Sequence, residues 1–66
     1  MSKIQSIVDA CNGWETRYCV VRINGSQIRR LFAWAAYDQA LSHFRQHEDR
    51  GATLAIVYNR EIILSN

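Results

Sequence analysis

Apolar positions recur along this chain in two rhythms, and the changes of rhythm mark its elements. Near the start, Ile4, Ile7, Val8 and Cys11 fall at helical spacing, with Ser2 placed to cap the helix and Asn12-Gly13 to stop it. Residues 14–23 are rich in aromatic and β-branched side chains and run into Asn24-Gly25, a dipeptide favoured in two-residue type I′ turns. That pattern predicts a hairpin whose return strand covers residues 27–36. Ile28, Leu31, Phe32 and Ala35 also sit at helical spacing, so a single helix over 26–50 competes with the hairpin. The hairpin is preferred, because Tyr37, Leu41 and Phe44 would point to the opposite side of such a helix and leave it without a continuous buried stripe. Asp38 is placed to cap a shorter helix over 39–49, with Ala40, Leu41 and Phe44 on one face and Gly51 as its stop. Two further short strands, 53–58 and 61–64, flank Asn59-Arg60, a second tight turn.

These elements predict an α+β fold in one domain over residues 1–66: a short N-terminal helix, then β-β-α-β-β, with one helix packed on a four-stranded, mainly antiparallel sheet. Strand parity gives the first hairpin two apolar faces. Cys19, Val21, Ile23, Ile28, Phe32 and Trp34 lie on one, and Trp14, Tyr18, Val20, Leu31, Ala33 and Ala35 on the other. The second hairpin repeats the arrangement, with Leu54, Ile56 and Ile63 against Ala55, Val57, Ile62 and Leu64. One helix of three turns covers about one face of such a sheet. The second face then needs the N-terminal helix, a second copy of the chain, or a partner.

Composition narrows the classes. At 66 residues the core is thin, since a domain of this size hides only about 60% of its unfolded surface. With 48% hydrophobic and 21% charged residues the chain reads as a folding sequence. No apolar run approaches a membrane span, and residues 1–13 lack the pattern of a signal peptide, so the expectation is a cytoplasmic protein without a membrane partner. Cys11 and Cys19 form no CxxC and read as small buried hydrophobes. The net charge is only +2, yet seven of the eight basic residues are arginine, the side chain suited to bidentate carboxylate or phosphate contacts and to stacking.

Catalysis finds little support. His43 and His47 stand at i, i+4 and lack a well-spaced third ligand, and Phe44 occupies the place of the glutamate in a metalloprotease HExxH. Ser42 and His43 are neighbours on a helix and do not face each other. Gly13, Gly25 and Gly51 are dispersed and form no phosphate-cradling loop. No catalytic residue, metal or cofactor is expected. Trp14, Tyr18 and Trp34 interleaved with Arg17, Arg22, Arg29 and Arg30 supply the ingredients of a sheet that stacks single-stranded bases, without the RNP strand or GxxG of the common RNA-binding modules.

The strand leading through Ala35-Ala36-Tyr37-Asp38-Gln39-Ala40-Leu41 into a short helix, followed by a closing hairpin over 55–64, resembles small phage and mobile-element proteins of β-β-α-β-β build, some anti-CRISPR proteins among them. The resemblance is one of architecture over about residues 17–64. It implies a stand-alone inhibitor that binds a protein complex of a bacterial defence system in the host cytoplasm. The slightly basic balance departs from the acidic surfaces of inhibitors that mimic DNA. The expectation is therefore a non-enzymatic binding protein acting through protein contacts, with Arg17, Arg22, Arg29, Arg30, Trp14 and Tyr18 as the contact residues. A nucleic-acid-binding accessory protein is the alternative, and a homodimer remains open.

Overall fold

The computed structural model describes residues 3–66. In chain order the elements are α1 (Lys3–Ala10), β1 (Tyr18–Asn24), β2 (Gln27–Trp34), α2 (Tyr37–Glu48), β3 (Thr53–Tyr58) and β4 (Glu61–Ser65). The fold is α+β, with an open antiparallel sheet of strand order β2-β1-β3-β4 between two helices. The expected layout holds, and residues 27–34 are strand rather than part of a long helix. The cap expected at Ser2 lies outside the described residues. No helix among the described residues is long and apolar enough to cross a membrane.

β1 and β3 form the middle of the sheet, and both are apolar on successive positions because both their faces are covered. On one face, Cys19, Val21, Ala33, Ala55 and Val57 pack under Ile7 and Cys11 of the α1 segment. On the other, Val20, Leu54 and Ile56 pack under Ala40 and Phe44 of α2. The second face is thus closed by the N-terminal helix, and the sheet requires neither a second copy nor a partner to bury it. Ile4, expected on the buried stripe of α1, is 65% exposed; the buried contacts come from Ile7 and Cys11.

Both outer strands carry a β-bulge, and the bulges correct the parity expected from sequence. Val20 pairs with Phe32 and Val21 with Arg30, which leaves Leu31 as an additional residue in β2. Likewise Ile56 pairs with Leu64 and Val57 with Ile62, leaving Ile63 additional in β4. Directly paired residues share a face, so Phe32 and Trp34 move to the α2 face, Ala33 moves to the α1 face, and Leu64 joins the α2 face. Ile63 is left 42% exposed. Trp14 and Ala35 belong to no strand, because β1 begins only at Tyr18 and β2 ends at Trp34.

The turns follow backbone chemistry. Asn24 pairs with Gln27, so the first loop is Gly25-Ser26 rather than Asn24-Gly25, with the positive φ at Gly25 alone, as in a type II′ turn. In the second hairpin both Asn59 (φ 50°) and Arg60 (φ 64°) are left-handed, the type I′ pattern. Helix α2 starts one residue before the expected Asp38 cap: Ala36 occupies the N-cap in an extended conformation without a side-chain bond. Asp38 instead sits in the first turn, where its charge favours the helix dipole. At the other end, Ala52 N–H donates to His47 C=O and Gly51 N–H to Glu48 C=O, a Schellman closure with Gly51 at φ +84°.

Arg60 pays the steric cost of a left-handed Cβ, about 1 kcal/mol, and its contact with Glu15 spans 3.9 Å at an exposed site. Arg60→Gly is expected to raise the melting temperature by about 2–5 °C once the extra freedom of glycine in the unfolded chain is counted. A lower melting temperature would show that the arginine side chain stabilises the turn by more than its backbone strain.

Candidate binding surface

The six residues expected to form one contact surface are divided between the two sides of the sheet. Arg30 faces α1, and its guanidinium lies over the Trp14 indole, 4.7 Å from the ring centroid. Trp14 stands in the loop after α1 and is 37% exposed, so this stack caps the α1 side. Arg17 is exposed in the same loop. Tyr18 lies on the opposite face, stacked on Tyr58 at 4.3 Å and edge-on to Tyr37 at 5.6 Å. Arg22 and Arg29 are also on the α2 face, as direct cross-strand partners near the first turn. The structure therefore joins Arg22 with Arg29 and Trp14 with Arg30, and separates these pairs from each other and from Tyr18.

The sequence pattern puts Phe32 on the face of Cys19 and Val21, and the bulge places it instead on the α2 face, opposite Val20. α2 packs mainly over β3 and β1. Edge strand β2 is left with an open strip on the α2 face: Arg29, Leu31, Phe32 and Trp34, with Arg22 alongside. Phe32 is 51% exposed and packs against Trp34, with ring centroids 4.5 Å apart. The uninterrupted apolar run 31–34 was the only signal in the sequence, since a bulge inside such a run changes no alternation.

Trp34 continues into a histidine relay on α2. Its indole Nε1–H donates to His43 Nδ1 at 2.9 Å, which places the proton of neutral His43 on Nε2. That Nε2–H then donates to His47 Nε2 at 3.0 Å, and His47 keeps its proton on Nδ1. Both nitrogens of His43 are occupied, so it is not available as a base for Ser42. The same tautomer argues against a shared metal. Coordination through both Nε2 atoms would put a proton on His43 Nδ1, facing the Trp34 N–H. Among the described residues no group of three or more His, Cys, Asp or Glu is placed to hold a metal ion.

Elsewhere the ionisable groups are tied to structure. Cys11 and Cys19 are free and buried, and their thiols hydrogen-bond to each other. Donation to Cys19, then burial, pushes the Cys11 thiol well above its ordinary range. Acceptance of that bond, reinforced by Arg30, lowers Cys19. Glu15 is held below the usual carboxylate range by its own backbone N–H and that of Gly13, with a further contribution from Arg60. Its backbone carbonyl accepts from Asn59 N–H at 3.2 Å, tying the loop after α1 to the second turn. The cleft between them, lined by Val8, Cys11, Trp14 and Arg60 among others, is too narrow to admit water. No protein family, curated protein or solved structure matches the chain.

Partial burial, then the neighbouring His47, lowers the His43 pKa below its ordinary 6.5. The unfolded chain therefore binds a proton more readily at this site than the native one, and the contribution of neutral His43 to stability is lost as pH falls below about 6.5. The melting temperature should decline between about pH 7.5 and about pH 5.5, and the decline should be shallower in His43→Gln. Equal slopes in the two proteins would mean that the relay does not set this pH dependence.

Proposed function

We propose that the chain is a small non-enzymatic binding protein that works through protein contacts, with the open strip of β2 as its working surface. The observation that carries this reading is Phe32: an aromatic ring half exposed on the α2 side of edge strand β2, packed against Trp34, with Arg29 earlier on the same strand paired to Arg22 of β1. Aromatic and arginine side chains together are the composition of binding hot spots, because a rigid ring loses little freedom on burial and a guanidinium makes several directed bonds. α1 covers the second sheet face, so that face is not what a partner would bury. The remaining surface is smaller and lies at the edge. The architectural resemblance to anti-CRISPR proteins supplies the specific form of the proposal: an inhibitor of a bacterial defence complex, gripping an acidic or phosphate-bearing feature of its target beside an apolar socket for Phe32.

A second reading is favoured by the same juxtaposition, since an exposed ring beside arginines also suits a single-stranded nucleic acid. Affinity separates the two, because binding to phosphodiesters falls steeply with salt as counterions are released.

Capture of partners by the tagged chain from bacterial lysate containing defence complexes, with and without nuclease, tests the proposal. A stoichiometric protein retained after nuclease treatment, and retained at least about tenfold less by Phe32→Ser, is the expected result. The substitution should leave the melting temperature close to that of the parent, given the exposure of the ring. Recovery that vanishes with nuclease, or that is indifferent to Phe32, would overturn the protein-binding reading.

A further inference from the structure

The arginines are not equally engaged. Arg30 lies on Trp14 and Arg60 reaches Glu15. Arg22 and Arg29 stand directly opposite each other on neighbouring strands, and among the described residues neither has a carboxylate within ion-pair distance. Side chains so paired leave their strands about 4.5–5.5 Å apart, and like charges in that position destabilise the sheet. The next pair on the same face toward the turn, Asn24 and Gln27, is also directly opposed. With Leu31, these four side chains line an open hollow of about 270 Å³. Every polar side chain around it can donate hydrogen bonds, and none is acidic.

We infer that this hollow is a binding site for a phosphomonoester group. The choice of ligand follows from counting charges and acceptors. A carboxylate carries one charge and two oxygens, and a single guanidinium fork saturates it. A phosphomonoester carries a charge of about −1.5 to −2 and three terminal oxygens, enough to accept from both forks and to neutralise both arginines. A phosphodiester has one charge and two free oxygens and leaves the pair half compensated. Asn24 and Gln27 provide amides for whatever follows the ester oxygen, and Leu31 provides an apolar floor. The site shares Arg29 and Leu31 with the strip assigned above to partner binding, and Arg22 beside it, but does not rest on that assignment, because a small anion can fill it whether or not a macromolecular partner exists.

The test is a titration of the ¹⁵N-labelled protein with inorganic phosphate at constant ionic strength, following the backbone and the arginine Nε–H resonances. The expected result is saturable one-site shifts centred on Arg22 and Arg29, with a Kd of about 1 mM or tighter. Arg22→Gln and Arg29→Gln should each weaken binding at least about tenfold, and acetate should fail to compete. Both variants should melt at or above the parent temperature because they relieve the like-charge pair, which keeps loss of binding distinct from loss of fold. Adenosine monophosphate and phosphoserine then distinguish the source, the tighter ligand naming a nucleotide or a phosphorylated side chain. Shifts that stay linear to about 50 mM phosphate, equal competition by acetate, or binding of an oligonucleotide without terminal phosphate that inorganic phosphate cannot displace would each overturn the inference. A positive titration with an empty protein capture would retain this site and discard the proposed function, and the reverse outcome would do the opposite.

Discussion

The central strand pair governs this molecule. β1 and β3 place consecutive buried residues, Cys19 to Val21 and Leu54 to Val57, on alternating sides of the sheet, so the hydrophobic effect acts on both faces of one layer. A chain of 66 residues has few ways to satisfy that demand. Its two helices meet it, one per face, through a few buried contacts: Ile7 with the adjoining Cys11 on one side, Ala40 and Phe44 on the other. Little is left for deep pockets or catalytic loops, because nearly every element is already committed to covering another.

That economy explains how much was legible in the sequence. The alternation of helical and strand rhythms, the glycine after α2 and the tight turn at Asn59-Arg60 are local signals, and local signals survive into the structure. Register was harder to read. In 31–34 and 62–64 all residues are apolar, so the slip of one position at each bulge leaves no trace in the pattern, yet it carries Phe32 and Trp34 across the sheet and turns Ile63 outward. Trp14 looks like a strand residue by type, but the turn around Arg17 delays the strand to Tyr18 and leaves the ring under Arg30. Asp38 has the chemistry of a cap and serves instead within the first turn as a favourable charge, since Ala36 is already in the extended conformation an N-cap requires.

The candidate site was less legible than the fold, for a related reason. Residue type pointed correctly to arginine and aromatic side chains, but their grouping depends on which face and which strand each occupies. Arg22 and Arg29 meet because the first hairpin is in simple register near its turn. Phe32 joins that side only through the bulge, three residues further along the strand. Arg30 and Trp14 find each other across the other face, where they close the edge of the core around the two thiols. A sheet only four strands wide makes edge position decisive: the same phenylalanine on β1 would be buried beneath α2, and on β2 it is half open.

The two bulges also have a consequence for the company this protein keeps with itself. An open sheet offers two unpaired edges, and a chain with so many apolar strand residues is at risk of adding further copies edge to edge. Here the outer strands are β2 and β4, and each is interrupted by its additional residue, Leu31 in one and Ile63 in the other. A regular ladder from a neighbouring molecule would match the donors and acceptors on one side of the interruption and miss them on the other. The irregularity that hid the register from the sequence thus works as a guard against fibre-like growth, limiting any strand that docks on either edge to a few residues.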